Sequence, residues 1–171
     1  MKRKWVVYFI LFLTIFVILG YGYYQSISRG TFVSRVFIDD LTVRPAGAII
    51  NVIFPSASAK AIGHSLVSRF VVLNILEGCE GAEGMFLLIA AVIPYPAPWR
   101  FRLIGLFFGV LLMYVLNLMR VVALFVLLRW HPQWFGTLHA VIAPTAIVLL
   151  GGLFFLWWVN AVARSQTALA S

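Results

Sequence analysis

Three side chains in this 171-residue sequence can carry chemistry: its single cysteine, Cys79; Arg120, inside an otherwise uncharged apolar run; and His139, at the head of the last apolar run. A cysteine attacks as its thiolate, and its pKa, ordinarily about 8.5, falls beside a cation and at a helix N-terminus. Arg120 keeps its charge and offers a planar fork of donors, so it can hold a thiolate or an oxyanion. His139 is the member of the trio that exchanges a proton near neutrality. Together they provide for acyl transfer through a thioester. The carboxylates Glu77, Glu80 and Glu83 around the thiol oppose its ionisation, so a positive partner is needed. A lone cysteine also excludes an intramolecular disulfide, a cysteine zinc cage and a C-x-x-C redox pair.

The elements that must position these residues are membrane spans. The chain is 63% hydrophobic and 11% charged, against about 25% charged residues in a soluble domain. That excludes a soluble globular domain, a disordered tail and a coiled coil. The fold class expected is an all-α polytopic membrane protein, a small transmembrane helix bundle of about four spans. Its extracytoplasmic segment has room for a short hairpin.

Residues 1–24 read as an N-terminal signal-anchor: 5–24 carries no formal charge and follows Lys2-Arg3-Lys4, and Tyr21-Gly22-Tyr23-Tyr24 is a poor cleavage site. Residues 25–80 form an extracytoplasmic or interfacial segment leading to the cysteine. Within it, 46–54 is too short to cross and reads as an interfacial or re-entrant helix. The stretch 65–76 suits a strand or hairpin arm as well as a helix. Residues 81–164 make a three-span bundle with crossings at 81–95, stopped by Pro94, Pro96 and Pro98, at 103–128 and at 138–159. Between the last two, 129–134 reads as an interfacial loop with Trp130 and Trp134 at headgroup level, and Trp157 and Trp158 stand near the end of the final span. Residues 165–171 are a cytoplasmic tail.

The formal charge is +8, and its distribution matters more than its size. Lys2, Arg3, Lys4, Arg100, Arg102 and Arg164 flank apolar spans, which places both termini and the 96–102 turn in the cytoplasm by the positive-inside rule. Arg129 lies outside against that rule. No basic patch is interleaved with exposed aromatics as a nucleic-acid surface requires, so the partner expected is the lipid bilayer and not nucleic acid.

On this topology Cys79 precedes a span entered from outside, and His139 opens the last span at the same leaflet. Arg120 lies about 26 Å up its own helix at 1.5 Å per residue, which is again the outer end. Each residue also has a plain structural use. A lone cysteine often packs as a small apolar residue, an interfacial histidine anchors at headgroups, and an arginine near a span end snorkels. However, an arginine within a span costs about 2.5–3.5 kcal/mol. Asn117 shares the helical face of Arg120, so the pair is expected to face the bundle interior. His64 and His131 read as loop residues, and their spacing with His139 supports no metal set.

The run 71–81 (VVLNILEGCEG), a short apolar helix, Asn117-Leu-Met-Arg120 and then His139 resemble the exosortase/archaeosortase family, most of all its compact exosortase H type, over residues 60–160. The family pattern is Cys-x-Gly, Asn-x-x-Arg and a downstream His, which fall here on Cys79 with Gly81, Asn117 with Arg120, and His139. Glu80 departs from it, standing where Ser or Asn is usual. The resemblance implies a membrane cysteine protease or transpeptidase in a bacterial inner (plasma) membrane, with its active site on the extracytoplasmic side. Its substrates would be membrane-anchored proteins with a C-terminal tripartite sorting signal: a short motif, a hydrophobic helix and a basic tail. Cys79 would form the thioester and Arg120 would steady thiolate or oxyanion. His139 would protonate the leaving amine and later activate the acceptor, with Asn117, Glu80 and Gly81 in support. No cofactor and no metal is implied. Two readings of other classes stand beside it. One is a non-enzymatic membrane scaffold or assembly subunit, in which Cys79 packs and Arg120 pins helices. The other is a lipid-directed acyltransferase relying on His139.

Overall fold

The computed structural model describes residues 2–29, 32–75 and 78–168; Glu77, one of the carboxylates flanking the thiol, lies outside them. Helix α1 (Lys2–Ser28) is apolar on every side, with Phe9, Ile10, Val17 and Ile18 exposed along it. A helix of that kind is at home in hydrocarbon, where all its backbone hydrogen bonds are internal. Its last turns dock on the rest of the molecule through Tyr23, whose ring meets Phe37 and Phe86 edge to face, each at a centroid distance of 5.4 Å.

From Phe32 the chain is helical again: a single turn, α2 (Phe32–Ser34), a π-helical stretch, Arg35–Val43, and α3 (Arg44–Ile53). Pro45 sits in the first turn of α3, where the π-helical stretch gives way to α-helix. Helix α3 fills most of the 46–54 segment read as interfacial, with Ala46 and Ile50 buried and Val52 and Ile53 exposed.

Within the ambiguous 65–76 stretch, of which residue 76 lies outside the described residues, 65–67 and 72–74 are strands. Strands β1 (Lys60–Ile62), β2 (Ser65–Val67) and β3 (Val72–Asn74) form an antiparallel sheet in that order, Ala61 facing Leu66 and Leu66 facing Leu73. Gly63 turns the first hairpin at φ +53, which glycine adopts without a Cβ penalty. Asn51 clamps the approach to β1, accepting from the Ala59 N–H at 2.7 Å and donating to its carbonyl at 2.8 Å. His64 lies in the β1–β2 turn and pairs with Asp39 at 2.7 Å, tying the sheet to the π-helical stretch.

Helix α4 (Ala82–Val92) is shorter than the 81–95 span read from the sequence. Eleven residues rise about 16 Å, roughly half of a hydrocarbon core, because the Pro94-Tyr95-Pro96-Ala97-Pro98 run supplies too few N–H donors to continue the helix. Helix α5 (Trp99–Trp130) starts directly after Pro98 and runs on through Arg129 and Trp130, which the sequence reading had assigned to a loop. Pro132 ends that continuation. The Arg129 guanidinium lies 3.9 Å from the Phe70 ring centroid and 4.9 Å from that of Trp130. This cation is thus held on aromatic faces. Beyond it, α6 (Phe135–Thr137), a π-helical turn, Leu138–Ile142, and α7 (Ala143–Ala168) follow in one helical run.

Helix α5 is the axis of the molecule. Its later half buries Leu118, Val121, Leu124 and Phe125 against Ile50 of α3 and Leu66 and Leu73 of the sheet. Its middle places Met113 among Met85, Leu88 and Val92 of α4 and Trp158 and Val162 of α7. Trp158, read near the end of the final span, is only 2% exposed, whereas Trp157 is 63% exposed. Gly105 makes the room, since an added Cβ there would lie 2.4 Å from the indole Nε1, which donates to the Phe101 carbonyl at 2.9 Å. Among the described residues three helices or helical runs, within Lys4–Ser28, Trp99–Trp130 and Pro132–Thr167, are long and apolar enough to cross a membrane. The protein is a mostly helical membrane protein with a small sheet packed on one end.

Candidate active site

The cysteine sits on a loop that two glycines shape. Gly78 and Gly81 have φ of +85 and +80, left-handed values that side-chain-bearing residues rarely adopt. Gly81 also lacks room: an added Cβ would lie 2.4 Å from Asn117 Cγ. The Cys-x-Gly spacing is therefore what lets the thiol loop seat directly on α5. Helix α4 begins at Ala82, which leaves Cys79 just ahead of a helix N-terminus, a setting that favours thiolate.

Arg120 joins this loop to the helix that carries the histidine. Its Nη1 donates to the Gly78 carbonyl at 3.4 Å and its Nη2 to the His139 carbonyl at 3.2 Å. That second acceptor is free for a reason written in the chain. The Ala143 N–H goes to Leu138 in the π-helical turn, and the next residue, Pro144, has no N–H to offer His139. π-helical turns recur at functional sites because they re-aim a side chain and release a carbonyl in this way.

Cys79 Sγ lies 3.8 Å from Nδ1 and 3.8 Å from Nε2 of His139. Equal distances place the sulfur off the line of either nitrogen. Closing to an aligned S–H···N bond takes a small side-chain shift, of the kind that accompanies substrate binding in many sites. Phe135 stacks on the imidazole at 5.7 Å with an interplanar angle of 5° and restrains its plane. The thiol is half-buried and borders the core between α3, the sheet and α5.

The two polar neighbours of the trio are buried. Asn117 is 2% exposed, and among the described residues its Oδ1 has no hydrogen-bond partner, nor has Arg120 Nε. Glu80 is 3% exposed. Burial pushes its carboxyl above the usual carboxylate range, against the opposing pull of hydrogen bonds from the nearby backbone and the Tyr23 hydroxyl.

This burial sets a pH dependence. A carboxyl with a raised folded-state pKa contributes its full stability below its unfolded pKa, and that contribution is lost as pH rises through the folded value. Glu80→Gln is therefore expected to melt higher than the parent at pH 8, with the gap closing toward pH 4. Thermal unfolding in detergent at both pH values checks this; a gap that widens on acidification contradicts it.

Cys79, Gly81, Glu80, Asn117, Arg120 and His139 thus come together at one end of the bundle. His64 is engaged with Asp39 and His131 caps the end of α5. Among the described residues no three His, Cys, Asp or Glu side chains group as metal ligands would. Sequence reading missed Phe135, Pro144 and Tyr23. The first two were detectable, Phe135 standing one helical turn before His139 and Pro144 at the position whose N–H a π-helical turn would need. Tyr23, on another helix far away in sequence, gave no such signal. No family model, no curated protein and no solved structure matches this chain.

Proposed function

We propose that the protein is a membrane cysteine protease or transpeptidase that cleaves and sorts proteins carrying a C-terminal tripartite signal, working on the extracytoplasmic side of a bacterial inner membrane. The observation that carries the reading is the half-exposed Cys79 thiol 3.8 Å from both ring nitrogens of His139, with Arg120 bridging the thiol loop to the same histidine. His139 takes the thiol proton, and sulfur bonds to the carbonyl carbon of the scissile peptide. Arg120 holds the oxyanion. Collapse breaks the C–N bond, and His139 returns its proton to the departing amine. The thioester on Cys79 is then attacked by water or an amine that His139 deprotonates, and the thiol is regenerated. The likeness of the Cys-x-Gly, Asn-x-x-Arg and His motifs to the exosortase/archaeosortase pattern supports the same reading.

On this reading the chain crosses four times with both termini in the cytoplasm, α4 and the proline run making the short second crossing. Cysteine labelling in a Cys79→Ala background is expected to react at Ser28→Cys and Gln133→Cys from outside, and at Ser165→Cys only after permeabilisation. Outside labelling at residue 165 overturns the topology. The function itself is tested by co-expression with same-genome proteins that end in a short motif, an apolar span and a basic cluster. A shortened product and a hydroxylamine-sensitive adduct on Cys79 are expected. If Cys79→Ala is silent, the scaffold reading takes over; if His139 is needed and Cys79 is not, the lipid-directed acyltransferase does.

A further inference from the structure

The small sheet has two edges, β1 and β3, and they are not alike. In an antiparallel pair, facing residues alternate between those that exchange main-chain hydrogen bonds and those that do not. The Ser68 N–H donates to the Val71 carbonyl at 3.0 Å and the Ile75 N–H to the His64 carbonyl at 2.9 Å. Leu66 faces Leu73 between them, so residues 71, 73 and 75 turn their main chain toward β2. Val72 and Asn74 therefore turn theirs the other way, to the open side of β3. Each presents an N–H and a carbonyl there, and among the described residues no hydrogen-bond partner reaches these groups.

The β1 edge is clamped where it begins, since the Asn51 side chain takes both the N–H and the carbonyl of Ala59. No such clamp closes β3 among the described residues. It also carries neither a charged side chain nor a proline, two devices that keep a sheet edge from pairing with another strand. Val72 is 56% exposed. This open edge leads to the thiol: Asn74 stands five residues before Cys79, a separation that the chain spans in at most about 18 Å. Leu73 and Ile75 are buried in the same core that the Cys79 side chain borders.

We propose that the β3 edge is the docking strand for an extended peptide, which adds beside it as a fourth strand and presents its last carbonyl to Cys79 Sγ. The inference rests on the cysteine-transpeptidase reading and names where that substrate lies. An extended polypeptide carries N–H and C=O groups alternating along one side at strand spacing, which is what Val72 and Asn74 complement. A lipid phosphodiester offers acceptors alone and leaves both β3 carbonyls unpaired. The chemistry also selects which part of the peptide is seated. The acyl segment stays on Cys79 through the thioester, whereas the amine segment departs after the first step. Because β3 runs toward the thiol, an acyl segment parallel to it arrives with its carbonyl end at the sulfur. Recognition of this kind reads the main chain, so simple alanine peptides are a fair probe of it.

The test uses the full-length chain in its own membrane and N-acetyl hexa-alanine chloromethyl ketone, which alkylates a thiol at its C-terminal end. Six residues span about 20 Å, enough to reach back from the thiol along β3. Chloroacetone carries the same reactive group with no peptide, so the ratio of the two rates of Cys79 capture isolates the contribution of docking. N-methylation of one alternate set of alanines is expected to lower that ratio about tenfold, the loss of two ordinary hydrogen bonds to the Val72 and Asn74 carbonyls. Methylation of the other set is expected to leave it within about twofold. Val72→Pro removes one outward N–H and spares the β2 ladder, a place where a strand tolerates proline; it is expected to lower the ratio about fivefold. A peptide no faster than chloroacetone, equal effects of the two methylated sets, or a parental ratio in Val72→Pro each overturn the proposal. So does a disulfide dimer formed by Val72→Cys in a Cys79→Ala background, which assigns the edge to a second copy of the chain. The cysteine reading fails by a different result, processing by Cys79→Ser, which leaves these ratios untouched.

Discussion

Cys79→Ser is expected to abolish processing of a protein carrying the tripartite signal, a loss of roughly 10³-fold or more, while expression and membrane insertion stay at parental levels. Serine is close to isosteric with cysteine, and the residue is half-buried at the edge of a core, so little packing is lost. The chemistry changes far more. A hydroxyl ionises much less readily than a thiol, and a helix start, Arg120 and one histidine are features that generate a thiolate rather than an alkoxide. Among the described residues no third side chain hydrogen-bonds the His139 ring as a serine site requires; the ring is held by stacking on Phe135. His139→Ala is also expected to lose turnover, yet it can accumulate a covalent adduct if the thiolate attacks unaided. A gel for the shortened product reads both variants. Normal cleavage by Cys79→Ser would falsify the transpeptidase reading and return the chain to the scaffold class.

The second large effect is expected at Arg120→Lys, a change that keeps the charge. Two separate nitrogens of the guanidinium reach the Gly78 and His139 carbonyls, at 3.4 and 3.2 Å. A single ammonium cannot make that fork. Lysine would leave one of the two elements untied, the thiol loop or the histidine helix, and would lose the planar donors proposed to hold the oxyanion. Processing is expected to fall by about 10²–10³-fold, as when an oxyanion donor is removed, with slower alkylation of Cys79. Near-full processing by the lysine variant would make Arg120 a point charge and nothing more.

The sequence alone determined what depends on distance along a helix. Uncharged length marked α1, α5 and the last helical run as long enough to cross a membrane, because hydrocarbon thickness and a rise of about 1.5 Å per residue are constants. The same arithmetic brought Cys79, Arg120 and His139 to one level, and a spacing of three put Asn117 on the face of Arg120. What depends on rotation and on contact between distant segments was not legible. Trp157 and Trp158 are equivalent in sequence, and only the notch at Gly105 decides that the second is buried. Residues 65–67 and 72–74 became strands because Leu66 and Leu73 face each other and cover α5, a pairing no local pattern specifies. Arg129 read as a loop cation, whereas it ends α5 with its guanidinium on the Phe70 ring. Glu80 read as a charge opposing the thiol, and only the packed structure shows that it is buried, which raises its pKa against the opposing hydrogen bond from Tyr23 of α1. Rise along an axis is a property of the backbone and is the same in every helix. The face a helix presents is settled by which side chains of remote elements fit against it, and only the packed tertiary structure holds that information.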